Sequence, residues 1–458
     1  MNKQANKIII IGAGPVGLSA AAQVLLRGLT PIIIEKGQNA GDAMSQWGHV
    51  EVFTPWKYVV DKQLKALLLA SGWQPPEEDL LPTGKQIVDE YLIPAANLPQ
   101  LAKAIHFNHE VVAVSKTNLS KSSSEGREEA GYSVHIKHAD GQRSNITGDA
   151  VIDASGTWNS PNPIGLDGLP IPGEIQNKDR ISYGIPDIKN KAKDQFKGQR
   201  TLVPGGGHSA INVALGLLNL QQESAITKIY WGLRKDNIQK LLGGGINDAL
   251  PARGELGLAA KAAIDSGALT LLAPIQVNEI QRLESGLQLL INVNNVEKII
   301  EVDQIVVATG FRPELTMLRE LRLDLDEVVE APTRLAPLID PNLHSCGTVR
   351  PHGIEELSHS DKNFYIVGMK AYGRAPTFLM MTGYEQVRSI VAELAGDKEA
   401  ARRVELELPE SGVCSSQQLT KTSSGCCTPV AKFVAEMPSS GCCESSSKTK
   451  TPASSCCG

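Results

Sequence analysis

Apolar positions along this chain fall into two kinds of run, and the order in which they alternate occurs twice. Lys7 to Ile11 is a short β-branched run of the kind that fills a parallel strand buried on both faces. It passes through Gly12-Ala13-Gly14-Pro15-Val16-Gly17 into an Ala/Leu-rich stretch, Leu18 to Arg27, which predicts a helix, and then into a second strand, Thr30 to Ile34. Further on, Arg200 to Val203 predicts a strand and Gly205-Gly206-Gly207-His208-Ser209-Ala210 a loop. Ile211 to Leu220 then predicts a helix, and Lys228 to Trp231 the next strand. Both blocks close alike. Glu110 to Val114 and Tyr132 to Lys137 predict meander strands, and the strand Ala150 to Asp153 runs into Ala154-Ser155-Gly156. Leu287 to Val293 and the strand Asp303 to Val307 run likewise into Ala308-Thr309-Gly310.

Two strand–helix–strand units with matching ends predict an α/β fold built from two Rossmann-like dinucleotide-binding domains, and not one large sheet. A strand at Phe364 to Gly368 and a helix at Thr377 to Leu394 follow both units and are expected to complete the first. The expected division is therefore residues 1–175 and 335–405 for the first domain and 196–312 for an inserted second domain. From 411 to 458, Ser, Thr and Cys fill 24 of 48 positions with almost no apolar periodicity, which predicts a disordered tail.

Composition narrows the picture. With 458 residues, 41% apolar, the chain can bury sizeable cores. Its formal net charge of -5 argues against nucleic acid or an anionic membrane as the main partner. The apolar stretch from Ile8 to Leu26 is interrupted by Gly12, Gly14, Pro15, Gly17, Ser19 and Gln23, so it reads as a loop and helix instead of a membrane span. Of the eight cysteines only Cys346 precedes residue 410, which suits a cytoplasmic body and not a secreted disulfide framework.

The glycines carry the chemistry. A dinucleotide pyrophosphate needs backbone N–H groups at a helix N-terminus, and side chains there would block it. Gly12, Gly14 and Gly17 have the first, third and sixth places of such a loop, between a strand and a helix. Glu35 stands where an acid takes the ribose hydroxyls, with Lys36 beside it. Gly205, Gly207 and Ala210 give a second copy, with His208 and Ser209 inside it. No acid ends the second strand there. Arg234 and Lys235 stand in its place, which favours the 2′-phosphate of NADPH over NADH.

Taken together, these motifs resemble the flavoproteins with two dinucleotide-binding domains: flavin-containing monooxygenases, Baeyer–Villiger monooxygenases and thioredoxin-reductase-like enzymes. The resemblance covers about residues 7 to 395. It implies FAD on Gly12, Gly14, Pro15, Gly17, Glu35 and Lys36, with Trp47, Ser155, Gly156, Gly368 and Met369 further along the cofactor. It implies NADPH on Gly205, Gly207, His208, Ser209, Ala210, Arg234, Thr309 and Gly310. Four departures stand out. No CxxC occurs before residue 410, the late Gly-Asp of the family reads Gly368-Met369, and the stretch Arg180 to Asp187 lacks the monooxygenase histidine. The family's Gly-Gly-x-Trp is blurred, with Gly41 and Trp47 nearby.

In such enzymes the flavin does the chemistry, so no protein nucleophile is expected, and a small soft substrate oxidised at nitrogen, sulfur or arsenic fits. Trp47, Phe53, Trp56, Tyr372 and Arg374 are candidates for the flavin's surroundings. Three adjacent cysteine pairs, Cys426-Cys427, Cys442-Cys443 and Cys456-Cys457, offer soft thiolates. They look like the pairs of arsenite-handling proteins and make arsenite or another soft ion a candidate ligand. A reductase passing electrons to these thiols or to an external disulfide, and a metalloid-binding protein with a vestigial flavin fold, stay open at this stage, as does a homodimer.

Overall fold

Four successive isoleucines, Ile8 to Ile11, put branched side chains on both faces of strand β1 (Lys7–Ile11), and all four are buried. The first glycine loop leads into helix α1 (Pro15–Leu26), with proline at its opening position, where a missing N–H costs nothing. The helix starts earlier than the Leu18 that the apolar pattern gives, because Pro15 and Gly17 are helical without being part of its apolar run. Then follow β2 (Thr30–Ile34), α2 (Lys62–Ala70), β3 (Ile105–His106), the meander β4 (His109–Lys116), β5 (Tyr132–His138) and β6 (Arg143–Gly148), and β7 (Ala150–Asp153). The second unit holds β8 (Ile181–Tyr183), β9 (Arg200–Pro204), α3 (His208–Glu223), β10 (Lys228–Gly232), α4 (Pro251–Asp265) and β11 (Thr270–Leu272). Its meander is β12 (Ile275–Leu283), β13 (Gly286–Val293) and β14 (Val296–Val302), and β15 (Gln304–Val307) closes it. Strand β16 (Phe364–Ile366) and helix α5 (Met380–Leu394) come last. This computed structural model describes residues 6–235, 251–342, 349–375 and 378–406, all within one compact unit, Met1–Ser416.

The two five-stranded sheets are the same object twice. Their orders are β16-β7-β1-β2-β3 and β8-β15-β9-β10-β11, parallel throughout. In each, a three-stranded antiparallel meander is inserted before the strand that returns beside the unit's glycine-loop strand, between β3 and β7 in the first unit and between β11 and β15 in the second. They differ in one strand. The outer strand of the second sheet, β8, precedes its glycine loop, whereas that of the first, β16, arrives only after the second unit is complete. Hence the second unit interrupts the first.

Among the strands that escape the apolar pattern are β8, β6 and β14. Strand β8 has three residues, and the second unit accordingly begins before residue 196, within the Arg180 to Asp187 stretch. Strands β6 and β14 are largely exposed, so they carry no apolar alternation to find. Helix α5 begins at Met380, and the expected start at Thr377 lies outside the described residues. Two described surfaces close the first core: α5 lies along α1, and a Cβ on Gly383 of α5 would stand 2.6 Å from Val16 of α1. The late helix is thus fitted against the first turn of the helix that starts at the glycine loop.

Candidate dinucleotide sites

Each glycine of the first loop does a different job. Gly12 has a φ of +100°, and a Cβ there would lie 2.8 Å from the carbonyl oxygen of Ala154. A Cβ on Gly17 would lie 2.0 Å from the carbonyl oxygen of Gly12, so the helix can approach the strand only without one. Gly14, by contrast, has an ordinary backbone, and a Cβ there meets nothing within 4 Å. Its absent side chain clears space for something outside the fold. Helix α1 opens onto that space with no side-chain cap and no acid in its first turn, so its positive end suits a negatively charged group. The residues therefore fit a dinucleotide pyrophosphate.

Glu35 follows β2 and is half-buried, accepting the backbone N–H of Ala13 at 2.6 Å and that of Gly37 at 2.7 Å. Burial pushes its carboxyl up, against those two N–H groups that favour the charged form. Each carboxylate oxygen keeps capacity for a further hydrogen bond, such as a ribose hydroxyl would give. Lys36 is turned outward onto Glu110, 2.6 Å away, and both are exposed enough for the pair to count for little.

The second loop repeats this geometry. A Cβ on Gly205 would stand 2.3 Å from the carbonyl oxygen of Ala308, one on Gly207 meets nothing within 4 Å, and Ala210 is fully buried at the packing position. Buried Trp231 donates its Nε1–H to the carbonyl of Gly205 at 2.8 Å and braces the turn. His208 and Ser209 open α3, half-buried, and the His208 ring stands edge-on to Phe53 at 5.3 Å. Arg234 and Lys235 are exposed just past β10.

The closing turns are engaged otherwise than expected. Both the N–H and the hydroxyl of Ser155 donate to Asp153, at 3.1 and 2.6 Å, so this side chain braces its own turn. Thr309 is similarly committed, its hydroxyl donating to the carbonyl of Asn162 at 2.8 Å. Gly156 and Gly310 turn the chain with positive φ. Asp153 also receives the ammonium of Lys370 at 2.7 Å, with both side chains almost wholly buried. Lys370 belongs to the short turn Gly368–Tyr372, whose Gly368 N–H donates to Gln386 at 2.7 Å. Gln386 in turn meets Nε2 of buried His352 at 2.9 Å. Met369 is half-buried between these fixed neighbours. A carboxylate does stand at this corner, but it comes from β7 and is held by Lys370.

Of the aromatic candidates, Trp56 and Tyr372 are core residues, whereas Trp47 is half-buried with its ring 6.5 Å from Trp158. Arg374 is an ion-pair partner of Glu330 at 2.7 Å, near the surface. Trp158, Lys370 and Asp153 were missed by sequence reasoning. A lysine inside the apolar Phe364–Tyr372 stretch was the signal for the buried pair. The paired cysteines Cys426, Cys427, Cys442, Cys443, Cys456 and Cys457 lie outside the described residues. Among the described residues no group of three or more His, Cys, Asp or Glu is placed to hold a metal ion, and no helix is long and apolar enough to cross a membrane.

Comparison with known proteins agrees with this geometry. The family model of the pyridine nucleotide-disulphide oxidoreductases matches residues 9–348. A ferredoxin–NADP reductase of Thermus thermophilus is 24% identical over 353 residues, 75% of this chain and 84% of that protein. Human flavin-containing monooxygenase 1 is 29% identical over 225 residues, 48% of this chain, and the match spans only 39% of that relative's length. Among solved structures, the bacillithiol disulfide reductase of Bacillus cereus has a TM-score of 0.61 at 17% identity, covering 85% of this chain and 99% of its own. The FAD-bound cadaverine monooxygenase of Erwinia amylovora has a TM-score of 0.58 at 14% identity, covering 91% and 99%. At such identities these two structures show a shared fold. With three quarters of its length matched by the family, the chain belongs to the pyridine nucleotide-disulphide oxidoreductases and is a flavin-dependent oxidoreductase with FAD and NADPH as its cofactors.

Proposed function

We propose that the chain is a monooxygenase that draws electrons from NADPH and places one oxygen atom of O2 on a small soft nucleophile at nitrogen, sulfur or arsenic, the other atom leaving as water. The observation that carries this reading is the absence of any CxxC before residue 410. With no CxxC before residue 410, the two dinucleotide units carry no redox dithiol of their own, which favours an outside acceptor for the flavin's electrons. Bound FAD supplies the redox chemistry. The protein would hold the pyrophosphate at α1 and offer Glu35 to the ribose, while the Asp153–Lys370 pair fastens the corner behind the first closing turn.

The cysteine pairs of the tail fit a soft-ion ligand, with trivalent arsenic as the candidate, because adjacent thiolates on one segment can reach one ion. A second reading has a specific observation behind it. The ferredoxin–NADP reductase match runs through 84% of that protein, which favours electron delivery to an external carrier without oxygen transfer.

The test is to follow NADPH and oxygen consumption together in the FAD-loaded protein, adding arsenite, a thioether or an amine. Monooxygenase action consumes NADPH and O2 one to one with oxidised product. NADPH consumption that needs no O2 and proceeds with an artificial one-electron acceptor or a disulfide supports the reductase reading instead. A chain ending after Leu406 should keep the flavin chemistry and lose thiol-dependent arsenite binding.

A further inference from the structure

The two closing turns are stitched to each other. The Asn162 N–H donates to the carbonyl of Gly310 at 2.9 Å, and its side chain donates to the carbonyl of Thr309 at 3.2 Å. The Arg312 N–H donates to Ser160 at 3.0 Å, and Pro161 bridges Phe311 in antiparallel fashion. Segment 157–163 thereby ties the C-terminal edge of β7 to that of β15. In open parallel sheets those edges are where ligands bind.

Trp158 sits in the middle of this seam. Its ring lies 4.9 Å from Phe311 at an interplanar angle of 32°, and 6.5 Å from Trp47. Its Nε1–H donates to Gln46 at 2.8 Å. Gly184, just past β8, comes so close that a Cβ there would stand 3.0 Å from the ring. One half-buried side chain thus touches the 46–47 segment of the first unit and, in the second, Gly184 directly after β8 and Phe311 in the turn that follows the neighbouring strand β15. Further along the same stretch, Phe53 stands edge-on to His208 of the second glycine loop at 5.3 Å.

We propose that Trp158 is a positioning residue for hydride transfer between the two cofactors. It holds the units at the separation at which the nicotinamide reaches the flavin. The step it serves moves a hydride, two electrons with one proton, from NADPH to FAD; a proton from solvent completes the reduced flavin and NADP+ remains. This inference rests on the FAD and NADPH assignment. A displacement of about 1 Å between reacting groups can cost on the order of a hundredfold in rate.

The test uses Trp158→Ala, Trp158→Phe and Gln46→Ala in the full chain. FAD content and NADP+ affinity, the latter measured by calorimetry on cofactor-free protein, should match the wild type. The limiting rate of anaerobic flavin reduction at saturating NADPH should fall about a hundredfold for Trp158→Ala and much less for Trp158→Phe. The change that NADP+ makes in the flavin's visible spectrum should vanish in the alanine variant and persist in the phenylalanine one. If Trp158→Ala does not fold, Gln46→Ala should show the same pattern more weakly. A wild-type limiting rate, or a loss confined to NADP+ affinity or thermal stability, overturns the proposal. Failure of the wild type to hold FAD or to be reduced by NADPH would instead overturn the cofactor assignment beneath it.

Discussion

The ammonium of Lys370 lies 2.7 Å from the carboxylate of Asp153, and neither side chain is more than 1% exposed. Two charges taken this far out of water are stable only together, and Ser155 completes their hydrogen bonding at 3.1 Å from Lys370. The pair fastens the turn that carries Met369 to the end of β7, directly behind the first closing turn. Replacing Lys370 with Met keeps the volume and strands the carboxylate. The expected loss is about 3–5 kcal/mol in denaturant unfolding, with FAD retention falling as well. Adding Asp153→Asn to that variant should recover part of the stability; a double variant no better than the single would contradict the pairing.

Open Gly14 and tightly packed Gly17 separate binding from folding. Gly14→Val should give a protein with the melting temperature of the cofactor-free wild type and no retained FAD, because its side chain enters space that nothing in the fold uses. Gly17→Val should fail to fold, since its Cβ would overlap the carbonyl of Gly12. Circular dichroism and flavin absorbance read the two outcomes separately. A fully yellow Gly14→Val protein would remove FAD from the first loop.

That much was legible from sequence because a dinucleotide loop constrains the backbone locally, and glycine is the only residue that satisfies Gly12 and Gly17. The Asp153–Lys370 pair was not legible, since its members meet only after an entire second unit has intervened between β7 and β16. Trp158 passed unnoticed for a related reason: its partners Gln46 and Phe311 come from different units. Ser155 and Thr309 were assigned to cofactors by position, and their hydroxyls also brace the turns, a role that position alone does not reveal. Three-residue β8 and the exposed β6 and β14 bury too little to leave a pattern.

Coenzyme choice should depend on Arg234, which is exposed where the second strand of the NADPH unit ends. A charge-assisted bond to the 2′-phosphate is worth about 1.5–3 kcal/mol, so Arg234→Ala should raise the NADPH concentration needed for half-maximal flavin reduction by about tenfold to a hundredfold. NADH-driven reduction should change little. Equal effects on the two coenzymes would contradict this role.

Acid should weaken the fold through His359. Its Nδ1 accepts the N–H of Asp324 at 3.2 Å, and burial lowers its pKa from 6.5 to about 4. The unfolded chain therefore takes up the proton first as pH falls. Stability is full above about pH 6.5 and declines toward pH 4, by about 3 kcal/mol from this one residue. Denaturant unfolding at pH 7 and pH 4.5 should show a smaller difference for His359→Phe than for the wild type. An identical difference would mean that other groups carry the acid sensitivity.

The most direct test of two cooperating dinucleotide sites is anaerobic mixing of NADPH with the FAD-loaded protein, wild type and Gly207→Val, followed by flavin absorbance. A Cβ on Gly207 meets nothing in the fold, so the variant should purify yellow and stable. NADPH should bleach the wild-type flavin and leave that of Gly207→Val oxidised, while dithionite bleaches both. Equal bleaching of the two proteins by NADPH, or a wild type that NADPH cannot reduce, would contradict the assignment of one loop to the flavin and the other to its reductant.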